Sequence, residues 1–567
     1  MAVPGLSNGM IRHLKLLILV AVAIIVYGNA VRNGFAMDDD LYIFRNAQVT
    51  HHSLKELFQP NAYTAVFRPV TFATLAANFE LNGQNPWAYH AFNLLLHAGV
   101  TVLLFFVLST ILAREPRGDI IAFVAALLFA VHPIHTEAVT SVIGRSELLA
   151  AGFVLLAWLF HLHDLPFLAA FSFLIALLSK ESAVAFLPLA LAGDYASGKL
   201  KPMLRYLSLA SLTLFFIGVL WKVQGGRFGL AEIPFVDNPL SSLSPGWRIL
   251  NALRIAWKYV GLQIYPAKLS CDYSFNAIPV YCDLRHTLPA LLAALGLLAA
   301  WGWAVWKRKP VLIIAGAIYF AGFAVTANIL TPTGTIMAER LAYLPSAGLC
   351  LVLALILVWL ESRHRIVALS VIAILTVALG VRTIVRNRDW KNDLTLNESA
   401  ARVVPGSAKV HSTLGGIYLL QRRLDLARTE LQLSLHIDPN SPDTEESLGL
   451  LESWTGNNAE ALRLLDHALH FSNRKNINYD FMAVNLAAQL LQMSQLDEAA
   501  TILDHEVSVA PGYARAWSNR AALNFKRGEL QAARSDAESA LRLDPNNSQA
   551  QNVLDLTSRT NSATQQR

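Results

Sequence analysis

Hydrophobic positions follow two regimes along the chain. Through residues 1–385 they form long, nearly unbroken runs, and from 386 onward they recur at helical spacing among polar residues. A helix that crosses a bilayer needs about 20 mostly apolar residues. Such runs predict spans at 13–31, 93–112, 119–131, 147–162, 167–179, 182–194, 205–221, 287–306, 311–328, 344–360 and 366–382, about eleven in all. The runs at 119–131 and 167–179 are short for the purpose. The first run follows Arg12 and Lys15 as a secretory leader would, but it is too long and lacks a small-residue cleavage site, so a retained anchor is expected. The stretch 248–266 is apolar yet carries Arg254 and Lys258. A charge at the bilayer centre costs at least ~2.5 kcal/mol. That stretch is therefore expected to lie on the surface or to re-enter.

An odd number of spans puts the two ends of the membrane half on opposite sides. The distribution of basic residues tests this parity. One side collects Arg12, Lys15, Arg114, Arg117, Lys199, Lys201, Arg205, Lys307, Arg308, Lys309, Arg363 and Arg365, whereas short loops on the other carry only Arg145, Lys180 and Arg340. The first side is expected to be cytoplasmic. The long loops 32–92 and 222–286 then face outward, and so does the polar half of the chain.

Composition agrees with this division. The chain is 54% hydrophobic and 15% charged, with a mean hydropathy of +0.41. Soluble domains carry about 25% charged residues, so a single soluble domain and a disordered scaffold are both excluded. The net charge of +6 is dispersed, and no basic run marks a nucleic-acid partner. Three cysteines cannot build a disulfide framework or a four-cysteine zinc site. Cys271 and Cys282, both in the outward loop, suit either a disulfide or two free thiols.

The polar half repeats. Leu414-Gly415 recurs as Leu448-Gly449 and Ala427 as Ala461; after a slip of four residues, Ala499 recurs as Ala533 and Pro511 as Pro545. A period of 34 with Gly after Leu, then Ala, then Pro resembles the tetratricopeptide repeat. The units fall at about 408–441, 442–479, 480–513 and 514–547. Stacked helix pairs of this kind form a concave surface suited to extended peptides or partner helices. The expected fold is all-α. A polytopic membrane domain (1–385) leads through a linker (386–407) to an α-solenoid of about four repeats (408–547) and a tail (548–567).

Anchoring does not explain the ionisable residues that this topology collects at the outward ends of the spans. They are Asp38, Asp39 and Asp40, then Arg68, His90, His132, His135, Glu137, Lys180, Glu181, Glu339 and Arg340. Charged groups at a membrane are costly and mark functional sites by default. Each also has a structural reading. The aspartates suit a solvated loop or a helix cap. His90, Asn93 and His97 share one helical face and can bond a neighbouring span. His132 and His135 have metal-ligand spacing but more often serve the core. Lys180 and Glu181 are adjacent and face different ways. Glu339 and Arg340 can form a structural ion pair. The collection of all these groups on one side favours function.

A set of motifs in order then resembles a known family. These are Asn33-Gly34-Phe35-Ala36-Met37-Asp38-Asp39, Phe67-Arg68-Pro69, Tyr89-His90 with Asn93 and His97, and His132-Pro133-Ile134-His135-Thr136-Glu137. Gly144-Arg145-Ser146-Glu147, Ser179-Lys180-Glu181, Asp272-Tyr273-Ser274-Phe275, Met337-Ala338-Glu339-Arg340 with Tyr343-Leu344-Pro345, and Arg388-Asp389-Trp390 follow. Together they resemble the transmembrane and tetratricopeptide-repeat O-mannosyltransferases, over nearly the whole chain. Met37 and Phe67 stand where the family pattern has an aromatic and a Tyr. The short repeat array resembles a bacterial relative more than an animal enzyme. The resemblance implies a GT-C-like membrane fold and a polyprenyl-phosphate mannose donor. It also implies Ser or Thr of a protein acceptor, held by the repeats, and transfer on the outer face. That face is periplasmic in a bacterial inner membrane or lumenal in the endoplasmic reticulum.

The residues suit such chemistry. An acceptor hydroxyl needs a base, and Asp38 and Asp39 stand at the mouth of the first span, with a slight preference for Asp39. A departing lipid phosphate needs cations. Arg254 and Lys258, four apart on one helix face, suit it, with Arg340 as a third; the first two also suit snorkelling to lipid headgroups. His135 and Glu137 suit the sugar or a divalent metal. Arg68, His90, Lys180, Glu181 and Glu339 suit the sugar or the acceptor. Two other functions fit the same sequence. One is a GT-C transferase acting on a glycan or a lipid, and the other is a membrane-anchored repeat scaffold without catalysis.

Overall fold

The computed structural model describes residues 8–51, 54–60, 66–226, 233–472 and 478–565. Parts of the expected outward loops (52–53, 61–65 and 227–232), residues 473–477 and the end of the expected tail (566–567) lie outside the described residues. Every regular element among the described residues is helical. The chain divides into two compact units, residues 1–407 and 408–567.

The longer helices of the first unit are α1 (Asn8–Tyr27), α2 (Pro69–Asn82), α3 (Pro86–Ile111), α4 (Gly118–Val131), α5 (Arg145–Leu162), α6 (Pro166–Ser179) and α7 (Phe186–Ser197). They continue with α8 (Met203–Val223), α9 (Pro245–Ile264), α10 (Leu284–Trp306), α11 (Pro310–Phe323), α12 (Tyr343–Arg363), α13 (Arg365–Asp389) and α14 (Asp393–Val403). Proline opens α2, α3, α6, α9 and α11, where its fixed φ suits the first turn and its missing N–H is not needed. The centre is built from α3, α4, α5 and α12, which bury Leu, Ala, Val and Phe against one another. By contrast, α8, α10 and α13 leave most of their apolar surface exposed, as helices facing lipid must.

Each of the eleven expected spans falls on a helix, but among the described residues seven helical segments are long and apolar enough to cross by themselves. An eighth forms only if α4 and the helix after it count as one span bent by 54°. The count of eleven does not follow from helix length, because polar residues cut several runs short. The α4 run breaks at His132-Pro133, and α6 ends at Ser179 before Lys180 and Glu181. Helix α9 is not among the crossing candidates. It buries Asn251, Ile255, Tyr259 and Gln263, one face at four-residue spacing.

The stretch 386–407 is not a linker. Arg386, Asn387 and Trp390 at and beyond the end of α13 are buried, and α14 belongs to the first unit. Asn387 donates to Val26 O at 3.0 Å and to Asn29 Oδ1 at 2.7 Å, and accepts from Thr140 Oγ1 at 3.2 Å. Its polarity reflects these bonds, which tie the end of α13 to α1.

The second unit begins at Ala408 with four helix pairs. They are Ala408–Leu420 with Leu424–Ile437, Pro442–Trp454 with Asn458–Phe471, Tyr479–Gln492 with Leu496–Val509, and Ala514–Arg527 with Leu530–Leu543. Ala427, Ala461, Ala499 and Ala533 are each 0% exposed. Gly415 and Gly449 allow the closest approach: a Cβ on Gly415 would stand 2.6 Å from Leu431 Cγ, and one on Gly449 2.8 Å from Leu465 Cγ. The expected tail forms another helix, Ser548–Gln565, whose Ala550 and Val553 pack on Ala521, Ala533, Ala537 and Ala540 and cover the last pair.

Candidate active site

The site is assembled from chain segments far apart in sequence. The motif after α1 turns at Met37, which takes a positive φ of 58°. That turn is tied on both sides: Asp39 Oδ2 accepts from Ala36 N at 3.0 Å, and Met37 N donates to Asp393 Oδ1 at 2.7 Å. The other oxygen of Asp39 accepts from Ile143 N at 3.3 Å. Asp39 is buried, and burial pushes its carboxyl up to about 7, outweighing the two N–H donors. Asp38, its neighbour, is exposed. The two candidate bases therefore differ: Asp39 holds the turn, and Asp38 is presented to solvent.

Asp38 lies within electrostatic reach of Arg340. Arg340 donates to Glu137 twice, from its backbone N at 2.9 Å and from its guanidinium. Glu339 and Arg340 are not a pair; Glu339 turns inward and accepts from Ser270 N at 2.6 Å and Tyr273 Oη at 2.7 Å. Lys180 and Glu181 likewise part company. Lys180 pairs with Glu147, while Glu181 takes a two-pronged contact from Arg68, Nε at 3.1 Å and Nη2 at 2.6 Å. Burial alone would raise the Glu181 carboxyl, but the Arg68 and Lys180 charges override it and hold it down to about 2. Burial, with Arg68 and Arg340 behind it, lowers the Lys180 ammonium against the pull of Glu147 and Glu181. Asp38, Arg68, Glu137, Glu147, Lys180, Glu181 and Arg340 thus form one charged network.

A narrow slot opens beside this network. Glu147, Ser182 and Thr326 supply its polar side, and Ala150, Ala151, Val154, Leu344 and Pro345 its apolar walls between α5 and α12. Small side chains on α5 make the room. A Cβ on Gly322, another lining residue, would meet Pro345 Cγ at 2.8 Å.

Other expected site residues stand elsewhere. His90 is buried and bonds Gly34 O at 3.2 Å. His135 is buried and bonds Ser346 Oγ at 2.7 Å, and His132 bonds Gln263 O at 2.7 Å. These imidazoles hold segments together, because the core leaves their polar atoms no water. Among the described residues no three His, Cys, Asp or Glu side chains converge to hold a metal ion, and Cys271 and Cys282 are free thiols. Arg254 and Lys258 line a pocket of their own that does not include Arg340.

Sequence reasoning missed Glu147 and Arg145 as site residues, although both stand in a quoted motif. Arg145 is buried and donates to Asn93 Oδ1 at 2.9 Å, Thr74 O at 3.0 Å and Tyr89 O at 3.2 Å, so it fixes the first turn of α5, from which Glu147 reaches Lys180. Ser346, which bonds His135, carried no sequence signal.

Residues 514–547 match the tetratricopeptide-repeat family. The chain is 27% identical to the protein O-mannosyl-transferase TMTC3 of Mus musculus, across 94% of this chain and 64% of that protein. It is 31% identical to a protein O-mannosyl-transferase of Caenorhabditis elegans, across 73% of this chain and 61% of that protein. The chain is similar to the protein O-mannosyl-transferases. It spans less than two thirds of the length of either relative. These protein O-mannosyl-transferases are animal proteins and give the expected bacterial kinship no support. Among solved structures, the tetratricopeptide-repeat protein YrrB, described as having an unusual peptide-binding site, aligns with 28% of this chain and 80% of its own at 19% identity and a TM-score of 0.24.

Proposed function

We propose that this chain is an integral membrane glycosyltransferase that moves mannose from a polyprenyl-phosphate carrier to Ser or Thr of a protein on the non-cytoplasmic face. That face is the periplasm of a bacterial inner membrane or the lumen of the endoplasmic reticulum. The observation that carries the reading is an exposed carboxylate, Asp38, within electrostatic reach of Arg340 and its network of ion pairs. The relatives' names point the same way.

In the proposed reaction Asp38 takes the proton of the acceptor hydroxyl as its oxygen attacks the anomeric carbon of the sugar. The bond from that carbon to the phosphate oxygen breaks, and the electron pair leaves with the carrier phosphate. The attack comes from the face opposite the leaving group, so configuration inverts. A positioned base of this kind contributes ~10²–10⁴-fold. Arg340, partly exposed, faces the charge that grows on the phosphate. Arg68 and Lys180 add positive potential, and their carboxylate partners hold them in place. The repeat surface suits an extended acceptor.

The test is sugar transfer by the purified full chain in nanodiscs, with polyprenyl-phosphate mannose and Ser/Thr peptides. Transfer that Asp38→Asn abolishes while Arg45→Gln, a change at an exposed residue paired with Asp40, retains it supports the reading. Undiminished turnover by Asp38→Asn removes Asp38 from the role of base. No transfer with mannose, beside turnover of another lipid-linked sugar, changes the donor.

A further inference from the structure

The pocket that Arg254 and Lys258 line is separate from the network around Asp38. It measures about 490 Å³ and lies between α9 and α10. Its two cations differ from Arg68, Lys180 and Arg340 in one respect. Each of those three is paired with a carboxylate, whereas among the described residues neither Arg254 nor Lys258 forms an ion pair; Asp283 acts on Arg254 and Glu339 on Lys258 only through space. Arg254 is nevertheless fixed. Its Nη1 donates to Asn251 Oδ1 at 3.1 Å and Pro279 O at 2.9 Å. Its guanidinium lies 4.3 Å from the centre of the Tyr281 ring. Tyr281 is backed in turn by the His286 ring, stacked at 4.2 Å and itself bonded to Asp283 at 2.8 Å. The remaining donors of Arg254, on Nε and Nη2, have no protein acceptor among the described residues. Lys258 Nζ sits 5.0 Å from the centre of the Tyr273 ring and likewise lacks an acceptor. A guanidinium held still by three contacts, with its Nε and Nη2 donors left over, is a preorganised anion site.

The rest of the wall is apolar. Trp257, Ile278, Pro289, Ala290 and Ala293 line it. Three of these belong to α10, a helix long enough to span a bilayer and buried along only 11% of its apolar window. Helix α9 meets it as an amphipathic element with a polar, cationic edge. A pocket that joins fixed positive charge to an apolar wall matches an amphiphile with an anionic head.

We propose that the pocket between α9 and α10 binds the phosphate ester headgroup of a membrane lipid, through Arg254 and Lys258, at a site apart from the transfer centre. Two lipids share that chemistry: an anionic phospholipid and a polyprenyl phosphate. The full chain in detergent would be titrated with phosphatidylglycerol, a polyprenyl phosphate, phosphatidylcholine and inorganic phosphate, and read by native mass spectrometry. Both phosphate lipids are expected to outbind inorganic phosphate, and the tighter of the two identifies the source. The Arg254→Gln/Lys258→Gln variant is expected to lose about tenfold or more in affinity. Should that variant fail to fold, Ala293→Trp fills the apolar wall while keeping both charges and is expected to lose lipid in the same way. Equal lipid retention by the variants, or inorganic phosphate binding as tightly as either lipid, would overturn the proposal. Asp38→Asn is expected to retain the lipid, so this inference and the transfer reading fail separately.

Discussion

Arg340 grips Glu137, a residue 203 positions earlier in the chain, with both its backbone N–H and its guanidinium. The contact joins the short helix that carries Glu137 to the turn before α12. Glu137 is almost wholly buried, while the Arg340 side chain keeps 29% of its surface exposed. The pair is therefore anchored at its acidic end and open at its basic end, as a cation that must also meet a ligand requires. Removing one partner of such a pair strands a charge in a medium that cannot solvate it.

Arg340→Ala is accordingly expected to cost roughly 3–5 kcal/mol of stability. Glu137→Gln/Arg340→Gln, which leaves no stranded charge, recovers most of that loss. Neither variant regains transfer. Thermal unfolding in detergent and the transfer assay check the two halves; equal destabilisation by the single and double variants contradicts the assignment.

Asp38 and Asp39 are expected to separate by phenotype. Asp38→Asn lowers kcat by about 10²–10⁴ and leaves Tm unchanged. Asp39→Asn puts an amide donor against one of two backbone N–H groups and lowers Tm first. Parallel measurements of Tm and kcat on both variants decide the matter; a collapse of Tm in Asp38→Asn would assign it a structural part.

Asp39 also predicts a pH dependence. Its carboxyl is raised to about 7 in the fold, against about 4 in the unfolded chain. The folded state therefore holds a proton that the unfolded state has released. The stability from that proton is complete below about pH 4 and is lost as pH rises through about 7. The Tm of the parent chain is expected to fall relative to that of Asp39→Asn between pH 5 and 8. Parallel Tm profiles for the two proteins would contradict it.

Gly415→Ala is expected to destabilise the first repeat by about 1–3 kcal/mol. The added methyl would meet Leu431 Cγ at 2.6 Å and its backbone N at 3.2 Å. Limited proteolysis of the full chain should show faster cleavage within 408–441 and no change in the first unit. Unchanged cleavage in the repeats would mean that Leu431 can shift at little cost.

The all-helical class, the membrane half, the 34-residue repeat and the residues of the charged network other than Glu147 are legible in the sequence, because each rests on local chemistry. An apolar run must leave water, a small residue must stand where helices touch, and a charge beside a membrane needs a reason. Pairing is not local. That Lys180 takes Glu147 and Glu181 takes Arg68 follows from where α5, α6 and α2 come together. The burial of Asp39 beside an exposed Asp38 depends on Ile143 and Asp393 folding over the turn. That Arg254 and Lys258 line one pocket with Pro289 and Ala293 depends on α10 packing against α9. Hydrophobic periodicity determines which faces are hidden. Which buried polar atoms meet is decided only when distant helices pack, since each hidden donor or acceptor must then find its partner within hydrogen-bond reach.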